Sequence, residues 1–417
     1  MPIQTTLTRA WLTRSLKPFT FESTADEFLS FEDCEWLGLY VHIPFCRQIC
    51  AFCPYCKTVY QKALADRYID ALLKEIRMVG GKLTHKKRVT SLYFGGGTPA
   101  LVADRIHEII RALRRYFIIT DGIGVELHPD NVTPDTLLIL KEAGVTRISI
   151  GIQSFQPKFG NLLGRSSVDA ATIAHALQEV PFETVSMDFI FALPGQTFRD
   201  LKADIDTAFR SGANHIAIYP FIDFTFTKST IPPMEKHKKR KLLDQITFYC
   251  EKKGYTRDSI WTFSNAPNAH YSSMTRDNFL GFGCSATTLL RDQFKINTFS
   301  VKEYCSCIDR QRLPTALTLR FSLRQRMVYY LFWTAYSTRV DPLAFERFFG
   351  VPLKRMYGLE IALAKRLGFV KEQNGIYQMT PKGAFYYHHY EQFYTLSYID
   401  KMWSVMRTEA FPQRLTL

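Results

Sequence analysis

Three cysteines lie close together in the first part of the chain, at Cys46, Cys50 and Cys53. Thiolates separated by steps of four and three residues on one tight loop can bind three corners of a cubane iron–sulfur cluster, which leaves one iron without a protein ligand. An open position is typical of a reactive metal site, whereas a structural site closes all of its positions. The spacing therefore predicts a [4Fe–4S] cluster with room for a further ligand.

A second interpretation of these cysteines is a zinc knuckle that takes Cys56 as its fourth ligand. Two CxxC steps share Cys53 here, whereas a zinc site normally brings its cysteine pairs from separate turns. Spacing alone favours the cluster and leaves zinc open. Beside a cluster, Cys56 is predicted to be either an inert core thiol or a catalytic thiol on the substrate side.

The 417-residue chain carries 53 basic and 39 acidic residues, a formal net charge of +14. A basic surface favours an anionic partner such as nucleic acid, acidic lipid or a polycarboxylate. The densest basic runs, at residues 86–88 and 236–241, have no interleaved aromatic residues, so nucleic acid is not the predicted partner. Nine cysteines without an even disulfide spacing indicate a reducing compartment, and no apolar stretch has membrane-spanning length. We therefore predict a cytoplasmic protein.

From residue 37 to about residue 220, short apolar strands alternate with helical segments. Strands are predicted at 38–43, 90–94, 124–127, 147–152, 185–191 and 215–220, and helices at 63–78, 105–116, 136–143, 168–178 and 198–211. This alternation predicts an α/β fold, a partial (β/α)6 barrel whose parallel strands are covered by helices. Ligands of such a barrel gather at the carboxyl ends of the strands.

Polar residues and glycines follow the predicted strands at that edge. The three cysteines follow the first strand, and Gly95, Gly96 and Gly97 follow the second. The next strands carry Glu126, Gln153 and Asp188 in turn at or near their ends. The glycines lack the spacing of a phosphate-binding loop, and they let a ligand approach the backbone closely. Such an alignment is hard to explain by packing alone.

The chain divides into four predicted segments. Residues 1–36 form an N-terminal arm expected to lie over the active site, and residues 37–260 form the barrel. Residues 261–314 form a connecting region with a glycine-rich turn at 279–285. Residues 315–417 are predicted to form a mainly helical, winged-helix-like module, because helices are followed by a hairpin pattern at 367–383.

Several motifs occur together in a recognisable order. They are LYVHIPFC at 39–46, FGGGTP at 94–99, VELHP at 125–129, SIGIQSF at 149–155, MDFIFALPG at 187–195 and LGFGCSA at 280–286. With the CxxxCxFC loop, they resemble the oxygen-independent coproporphyrinogen III oxidase family of radical S-adenosylmethionine (SAM) proteins. The resemblance covers residues 37–290 strongly and the C-terminal module weakly.

The resemblance implies a radical SAM oxidoreductase that uses a [4Fe–4S] cluster on Cys46, Cys50 and Cys53. The cluster would cleave SAM to a 5′-deoxyadenosyl radical that takes hydrogen from an unactivated carbon. A reductase, flavodoxin or ferredoxin would supply the electron. The residues implied to bind one SAM, or two, are Tyr40, Phe52, Gly96, Gly97, Thr98, Glu126, Gln153, Arg165, Asp188 and Thr287.

The resemblance also implies a small-molecule substrate, most simply a tetrapyrrole, and oxidative decarboxylation as the reference reaction. One departure is the position of the fourth cysteine, since Cys56 comes one residue later than in the family's oxidases. Two alternatives therefore stay open: a class C-type methyltransferase or cyclopropane-forming enzyme, and a heme-binding chaperone. The stretch NAHYS at 268–272 only partly matches the chaperones' HNxxYW motif, which argues against the last of these.

Overall fold

A computed structural model describes residues 3–23, 29–165, 167–227, 229–266 and 277–417 of the chain. The stretch 268–272, which bears on the chaperone alternative, lies outside the described residues. The predicted α/β class is confirmed, and the strands of the barrel begin and end close to where the sequence places them.

Six parallel strands form the partial barrel. They are β1 (Gly38–Ile43), β2 (Leu92–Gly96), β3 (Ile123–Leu127), β4 (Arg147–Gln153), β5 (Thr184–Phe191) and β6 (His215–Pro220). Each pairs in parallel with the next in chain order. Most side chains in these strands are buried on both faces, as expected where helices cover a parallel sheet.

Helices connect these strands and cover the outside of the sheet. They are Lys62–Gly80, Ala103–Arg114, Pro134–Glu142, Pro157–Leu163, Ala170–Glu179 and Phe198–Arg210, and Lys236–Lys252 follows β6. The Phe198–Arg210 helix illustrates the sequence signals that set where these helices begin and end. Thr197 and Asp200 make a capping box at its start, Leu201 and Ile205 face the core, and Gly212 follows its end with a φ of +99°.

The sheet continues beyond the barrel on the side of β1. Strands β7 (Phe279–Phe282), β8 (Thr287–Leu289), β9 (Gln293–Asn297) and β10 (Thr315–Arg320) extend it, followed by Thr20–Glu22 and Arg414–Thr416. Beyond β6 it ends with Thr262–Ser264 and Thr256–Arg257, which makes fourteen strands in all among the described residues. The prediction of a turn over 279–285 is therefore wrong for its first four residues. Gly281 pairs with Tyr40 within the strand, and the position requires glycine because a Cβ there would lie 2.1 Å from the Thr287 carbonyl oxygen.

The N-terminal arm does not lie over the strand ends in the part that the structure describes. The helix Ile3–Thr13 packs against the C-terminal region, and the guanidinium of Arg9 donates to the Leu417 carbonyl at 2.8 Å. Residues 20–22 then join the far end of the sheet between two other strands. Arg9 and Phe21 are both buried in this region, which ties the arm to the C-terminal region and the end of the sheet.

The C-terminal region is mainly helical, as predicted. Its first part consists of Leu323–Tyr336, Arg339–Val340, Pro342–Phe349, Leu353–Arg366, Val370–Gln373 and Ile376–Met379, in the helix–strand–helix–helix–strand–strand order of a winged helix. Pro381–Tyr394, a π-helical turn at Thr395–Ile399 and Asp400–Thr408 complete it. The boundaries at 36, 260 and 314 stay predictions, since one sheet contains strands from all four segments. No helix in the described residues is long and apolar enough to cross a membrane.

A buried carboxyl group anchors the turn after β7. Glu75, in the Lys62–Gly80 helix, accepts hydrogen bonds from the Gly283 N–H at 2.8 Å, the Tyr304 hydroxyl at 2.6 Å and the Asn297 amide at 3.3 Å. Burial raises the pKa of Glu75 to about 7. Because three donors converge on it, an amide in its place would direct its own N–H₂ at one of them.

We expect Glu75→Gln to lower the free energy of unfolding by about 2 kcal/mol, the usual cost of a mispaired buried hydrogen-bond group. Urea denaturation followed by circular dichroism measures this change. Glu108→Gln, at a partly exposed position in the next helix, is the matched control and should change little. Equal stability of the two variants would contradict the anchoring role of Glu75.

Candidate functional site

The three cysteines lie in a closed loop directly after β1, here called the cysteine loop (residues 46–57). A short parallel pairing of Phe45–Cys46 with Thr58–Val59 closes the loop at its base. Inside it, the Cys53 N–H donates to the Cys50 carbonyl at 3.3 Å, and the Lys57 ammonium donates to the carbonyl oxygens of both residues. All nine cysteines are free thiols, and the three in the predicted set are partly exposed.

Cys56 is separated from those three. It is buried, its thiol donates to the Phe299 carbonyl at 3.2 Å, and its sulfur lies in a compact group with His42 and Cys284. Tetrahedral zinc with bonds of about 2.3 Å holds its sulfurs about 3.8 Å apart. Among the described residues, only His42, Cys56 and Cys284 bring three ligand-type atoms within 4.8 Å of one another. The structure therefore does not support the four-cysteine zinc knuckle.

The three glycines at the end of β2, of which Gly95 and Gly96 are its last two residues and Gly97 follows it, are fixed by close contacts. Gly96 has a φ of +118°, and a Cβ on it would lie 2.5 Å from the His42 ring. A Cβ on Gly97 would lie 2.5 Å from the Phe45 carbonyl oxygen. The N–H groups of Gly97 and Thr98 donate to the Ile43 and Phe45 carbonyls at 2.8 and 2.7 Å. These three glycines, here called the glycine segment (residues 95–97), are thus bound directly to the end of β1 and the start of the cysteine loop.

A carboxylate from β3 holds the glycine segment on its other side. Glu126 accepts from the Gly96 N–H at 3.0 Å and from the Tyr93 hydroxyl at 2.9 Å. Burial raises the pKa of this carboxyl group. The Tyr93 ring stacks on Tyr40, whose hydroxyl lies 3.0 Å from Nδ1 of His42. The structure therefore brings the predicted residues Tyr40, Gly96 and Glu126 together.

Asp188 is placed on β5 at a shift in the register of its pairing with β4, between Met187 and Phe189. Such an irregularity turns a side chain out of the regular alternation of a strand. Its carboxylate accepts hydroxyl hydrogen bonds from Ser149 at 2.8 Å and Ser186 at 3.2 Å. Burial, opposed by the Ser149 hydrogen bond, raises the pKa of Asp188 to about 7, and the charge of Glu126 contributes to the increase.

The end of β4 and the helix after it supply the other predicted residues on this side. Gln153 ends β4 with a φ of +69°, a left-handed conformation that is uncommon for a residue other than glycine. The Arg165 guanidinium donates to the Gly151 carbonyl and lies 5.7 Å from the centroid of the Phe52 ring. Phe52 and Arg165 thus link the cysteine loop to β4.

The last two predicted residues, Thr98 and Thr287, lie in two different parts of the fold. The Thr98 hydroxyl donates to the sulfur of Cys46 at 3.8 Å, at the junction of the glycine segment and the cysteine loop. Thr287 starts β8, opposite Gly281, which in turn pairs with Tyr40. Thr287 therefore lies in register with Tyr40 across the sheet, but two strands, about 10 Å, separate the two residues.

The C-terminal helix Asp400–Thr408 contacts the cysteine loop. The Arg407 guanidinium donates to the carbonyls of Pro54 and Tyr55, in the latter case at 2.9 Å. The Trp403 ring lies 5.8 Å from the Tyr55 ring and stacks at 6.1 Å on Phe224, in the segment after β6. Beside these contacts, 54% of the Tyr55 surface is exposed.

Three functional contacts were not foreseen from the sequence. His42 lies on the same face of β1 as Tyr40, and the period of two along a strand could have indicated it. Tyr93, which binds Glu126, carried no such signal. Arg407 lies more than 350 positions from Tyr55 in the chain, so no local pattern could have joined them.

The arrangement offers a cluster of chemically distinct groups at one edge of the sheet. Three partly exposed thiols suit a metal cluster, the glycine segment packs against His42 and Phe45 and brings backbone without side chains to this edge, and two half-buried carboxylates can accept a ligand's hydroxyl or amino groups. These properties match a cluster with a small polar ligand beside it.

Comparison with known proteins agrees with this geometry. The sequence model of the family described as the radical SAM superfamily matches residues 40–208, from Tyr40 to the helix after β5. This range contains the cysteine loop, the glycine segment and both carboxylates.

Curated relatives carry two different names. The chain is 29% identical over 293 residues to the heme chaperone HemW of Bacillus subtilis, an alignment that covers 66% of this chain and 76% of the relative. It is 25% identical over 308 residues to the oxygen-independent coproporphyrinogen III oxidase of Synechocystis, covering 67% of this chain and 66% of that protein. Similarity of this degree does not separate the two activities.

Among solved structures, the chain is similar to coproporphyrinogen III oxidase (HemN) of Escherichia coli, described as a radical SAM enzyme. The TM-score is 0.72 at 22% sequence identity, and the superposition covers 87% of this chain and 90% of that one. The likeness shows that the two chains share a fold, including the C-terminal region.

Proposed function

Because this chain belongs to the radical SAM superfamily, within its coproporphyrinogen III oxidase-like family, we propose that it is an enzyme that acts on a tetrapyrrole by radical chemistry. One observation supports this proposal above the others. The cysteine loop, the glycine segment and the carboxylates of Glu126 and Asp188 converge at a single edge of the barrel.

The residues present fit a [4Fe–4S] cluster and a SAM molecule. Cys46, Cys50 and Cys53 would hold the cluster, and no fourth cysteine of the loop joins them. A SAM molecule would lie against the backbone of the glycine segment, which close packing on His42 and Phe45 and the Gly96 N–H bond to Glu126 hold in place. When bound and reduced, the pair supplies a carbon radical that removes a hydrogen atom from an unactivated C–H bond.

The chain's own side chains would orient the ligand. Glu126 fixes the glycine backbone through Gly96, and Asp188 presents a carboxylate that two serine hydroxyls hold in place. The rings of Tyr40 and Tyr93 form one wall of this space. Positioning of this kind is the protein's main contribution when a cofactor carries the difficult step.

Charged and aromatic groups around the cysteine loop support a flat, carboxylate-bearing substrate. Arg407 contacts the loop through the loop's carbonyls, and Arg47 within the loop and Arg165 after β4 are close enough to His128 to act on its charge. Burial lowers the pKa of His128 to about 4, and these two positive charges reinforce that decrease. Arginines pair well with propionate-type carboxylates, and rings such as Trp403 can stack on a macrocycle.

Two other functions remain candidates because specific observations favour them. The relative named as a heme chaperone is similar to this chain at 29% identity, so heme binding without turnover is the first. The position of Cys56, one residue later than the fourth cysteine of the oxidases, favours a changed reaction such as methyl transfer from a second SAM. Consumption of the methyl group of the second SAM, with S-adenosylhomocysteine as product, distinguishes this reaction from decarboxylation.

Product analysis under anaerobic conditions tests the proposal. The protein with a reconstituted cluster is incubated with SAM, dithionite and either porphyrinogens or heme, and products are identified by mass spectrometry. Loss of carbon dioxide from a porphyrinogen would establish oxidative decarboxylation, and a one-carbon gain with S-adenosylhomocysteine would establish methyl transfer. Heme recovered unchanged, without deoxyadenosine, would contradict an enzymatic role and favour the chaperone.

The pH dependence of SAM binding tests the role of Asp188. Its pKa is raised to about 7, so the carboxyl group is largely protonated at pH 6 and ionised at pH 8. If the ionised form accepts the ligand's hydroxyl groups, the Kd for SAM should fall about tenfold from pH 6 to pH 8, one pK unit being a factor of ten. Equilibrium dialysis measures this, and Asp188→Asn should remove the dependence. A wild-type Kd that is flat over this range would contradict the role.

A further inference from the structure

A second metal-binding group lies behind the predicted SAM site. A ring nitrogen of His42 and the sulfurs of Cys56 and Cys284 are all within 4.8 Å of one another. All three residues are buried, with 3%, 8% and 0% of their surface exposed. They come from three separate parts of the fold: β1, the end of the cysteine loop and the turn after β7. We propose that His42, Cys56 and Cys284 form a structural zinc site.

The chemistry of the three ligands favours zinc. Two thiolates and one imidazole are typical zinc donors, and binding of Zn²⁺ releases the two thiol protons to solvent. The resulting site has no net charge, since two thiolates balance the ion, and a neutral site is the least costly to bury. The hydroxyl of Ser285, 3.2 Å from Nε2 of His42, is placed to complete four ligands.

Hydrogen bonds orient the imidazole for this role. Without a metal, Nε2–H of His42 donates to the Cys56 carbonyl at 3.0 Å, and Nδ1 accepts from the Tyr40 hydroxyl at 3.0 Å. Metal binding would require the ring proton to move to Nδ1, where the Tyr40 oxygen can accept it, and would free the Nε2 lone pair for the ion.

The surrounding backbone is held in place before any ion binds. The Tyr68 hydroxyl donates to the His42 carbonyl at 2.7 Å and accepts from the Cys284 N–H at 3.0 Å. Gly283 has a φ of +98°, and a Cβ there would lie 2.3 Å from that hydroxyl oxygen. Glu75 holds the same turn from the other side. A site supported in this way is preorganised.

Zinc at this site would fasten the end of the cysteine loop to β1 and β7. It would explain why Cys56 is one residue further along the chain than the fourth cysteine of the family's oxidases, since that position places it beside Cys284. The inference does not rest on the proposed reaction, because zinc binding is measured without SAM or substrate.

Metal analysis of the full-length protein with a reconstituted cluster tests the inference. We expect about four iron atoms and about one zinc per chain, and Cys284→Ser should lower zinc at least tenfold while iron is unchanged. Cys250→Ser, at another fully buried free cysteine, is the matched control and should retain both metals. Zinc below a tenth per chain in the wild type, or equal zinc in both variants, would overturn the site.

Cobalt provides a second measurement that does not depend on the stability of a variant. Added Co²⁺ should give thiolate-to-metal charge-transfer absorption in the near ultraviolet with the wild-type protein, and Zn²⁺ should displace it. In a variant with Cys46, Cys50 and Cys53 all replaced by alanine, the same band should persist. Loss of the band in this triple variant would assign the metal to the cysteine loop and overturn the inference. A Cys56–Cys284 disulfide found by mass spectrometry after anaerobic purification would also overturn it.

Discussion

Replacing Cys50 by alanine is expected to abolish both the iron–sulfur cluster and the cleavage of SAM. Cys50 is a partly exposed thiol in the middle of the cysteine loop, and the Lys57 ammonium holds its carbonyl. With two cysteines left, the cluster has two open irons and is readily lost. Because changes outside the ligand set of a metal already cost ten- to a hundredfold, loss of a ligand should lower deoxyadenosine formation by at least about a hundredfold.

The iron content, the visible absorption of the cluster and deoxyadenosine formation would be measured on the same anaerobically reconstituted samples. Cys307→Ala is the control, since Cys307 is also a partly exposed free thiol but lies in the Val301–Asp309 helix. It should keep the wild-type iron content. Full cluster loading of Cys50→Ala would show that this cysteine is not a ligand.

Replacing Glu126 by glutamine is expected to raise the Kd for SAM about 10- to 100-fold. The carboxylate accepts from both the Gly96 N–H and the Tyr93 hydroxyl, and glutamine offers one oxygen for these two donors. Its amide N–H₂ would then face a donor, which disturbs the glycine segment where SAM is proposed to lie. A hydrogen bond to a charged group contributes about 1.5–3 kcal/mol, which corresponds to this range of affinity.

Equilibrium dialysis with the cluster-loaded variant measures the change. Glu75→Gln provides the comparison, because it also replaces a buried glutamate that accepts several hydrogen bonds, at a position outside the strand ends. It should lower stability and leave the Kd for SAM within about twofold of the wild type. Equal effects of the two variants on SAM binding would mean that Glu126 acts only through the stability of the fold.

The barrel could be predicted from the sequence because its signal is local. Buried runs such as Val185–Met187 alternate with helices whose caps are readable, as at Thr197 and Asp200. The extension of the sheet was missed because its strands are three to six residues long, and Gly281 imitates a turn. The partners of the N-terminal strand lie near residues 318 and 415, a pairing that no pattern within the first residues could indicate.

Some residues of the site were likewise predictable from the sequence, and others were not. Motifs placed the cysteines, the glycine segment, Glu126 and Asp188 at one edge, since strand ends of a parallel sheet meet there. The sequence could not pair Cys56 with Cys284, because 228 positions separate them and a buried β-turn brings them together. The contact of Arg407 with the cysteine loop likewise depends on how the last helix packs.

The most direct test of the central claim is electron paramagnetic resonance of the reduced protein with and without SAM. A cluster on three cysteines has an open iron, so SAM should change the g-values of the reduced cluster, and deoxyadenosine should form in the same sample. A fully loaded cluster whose spectrum is unaffected by excess SAM, with no deoxyadenosine produced, would contradict the assignment of this edge of the barrel as a radical SAM site.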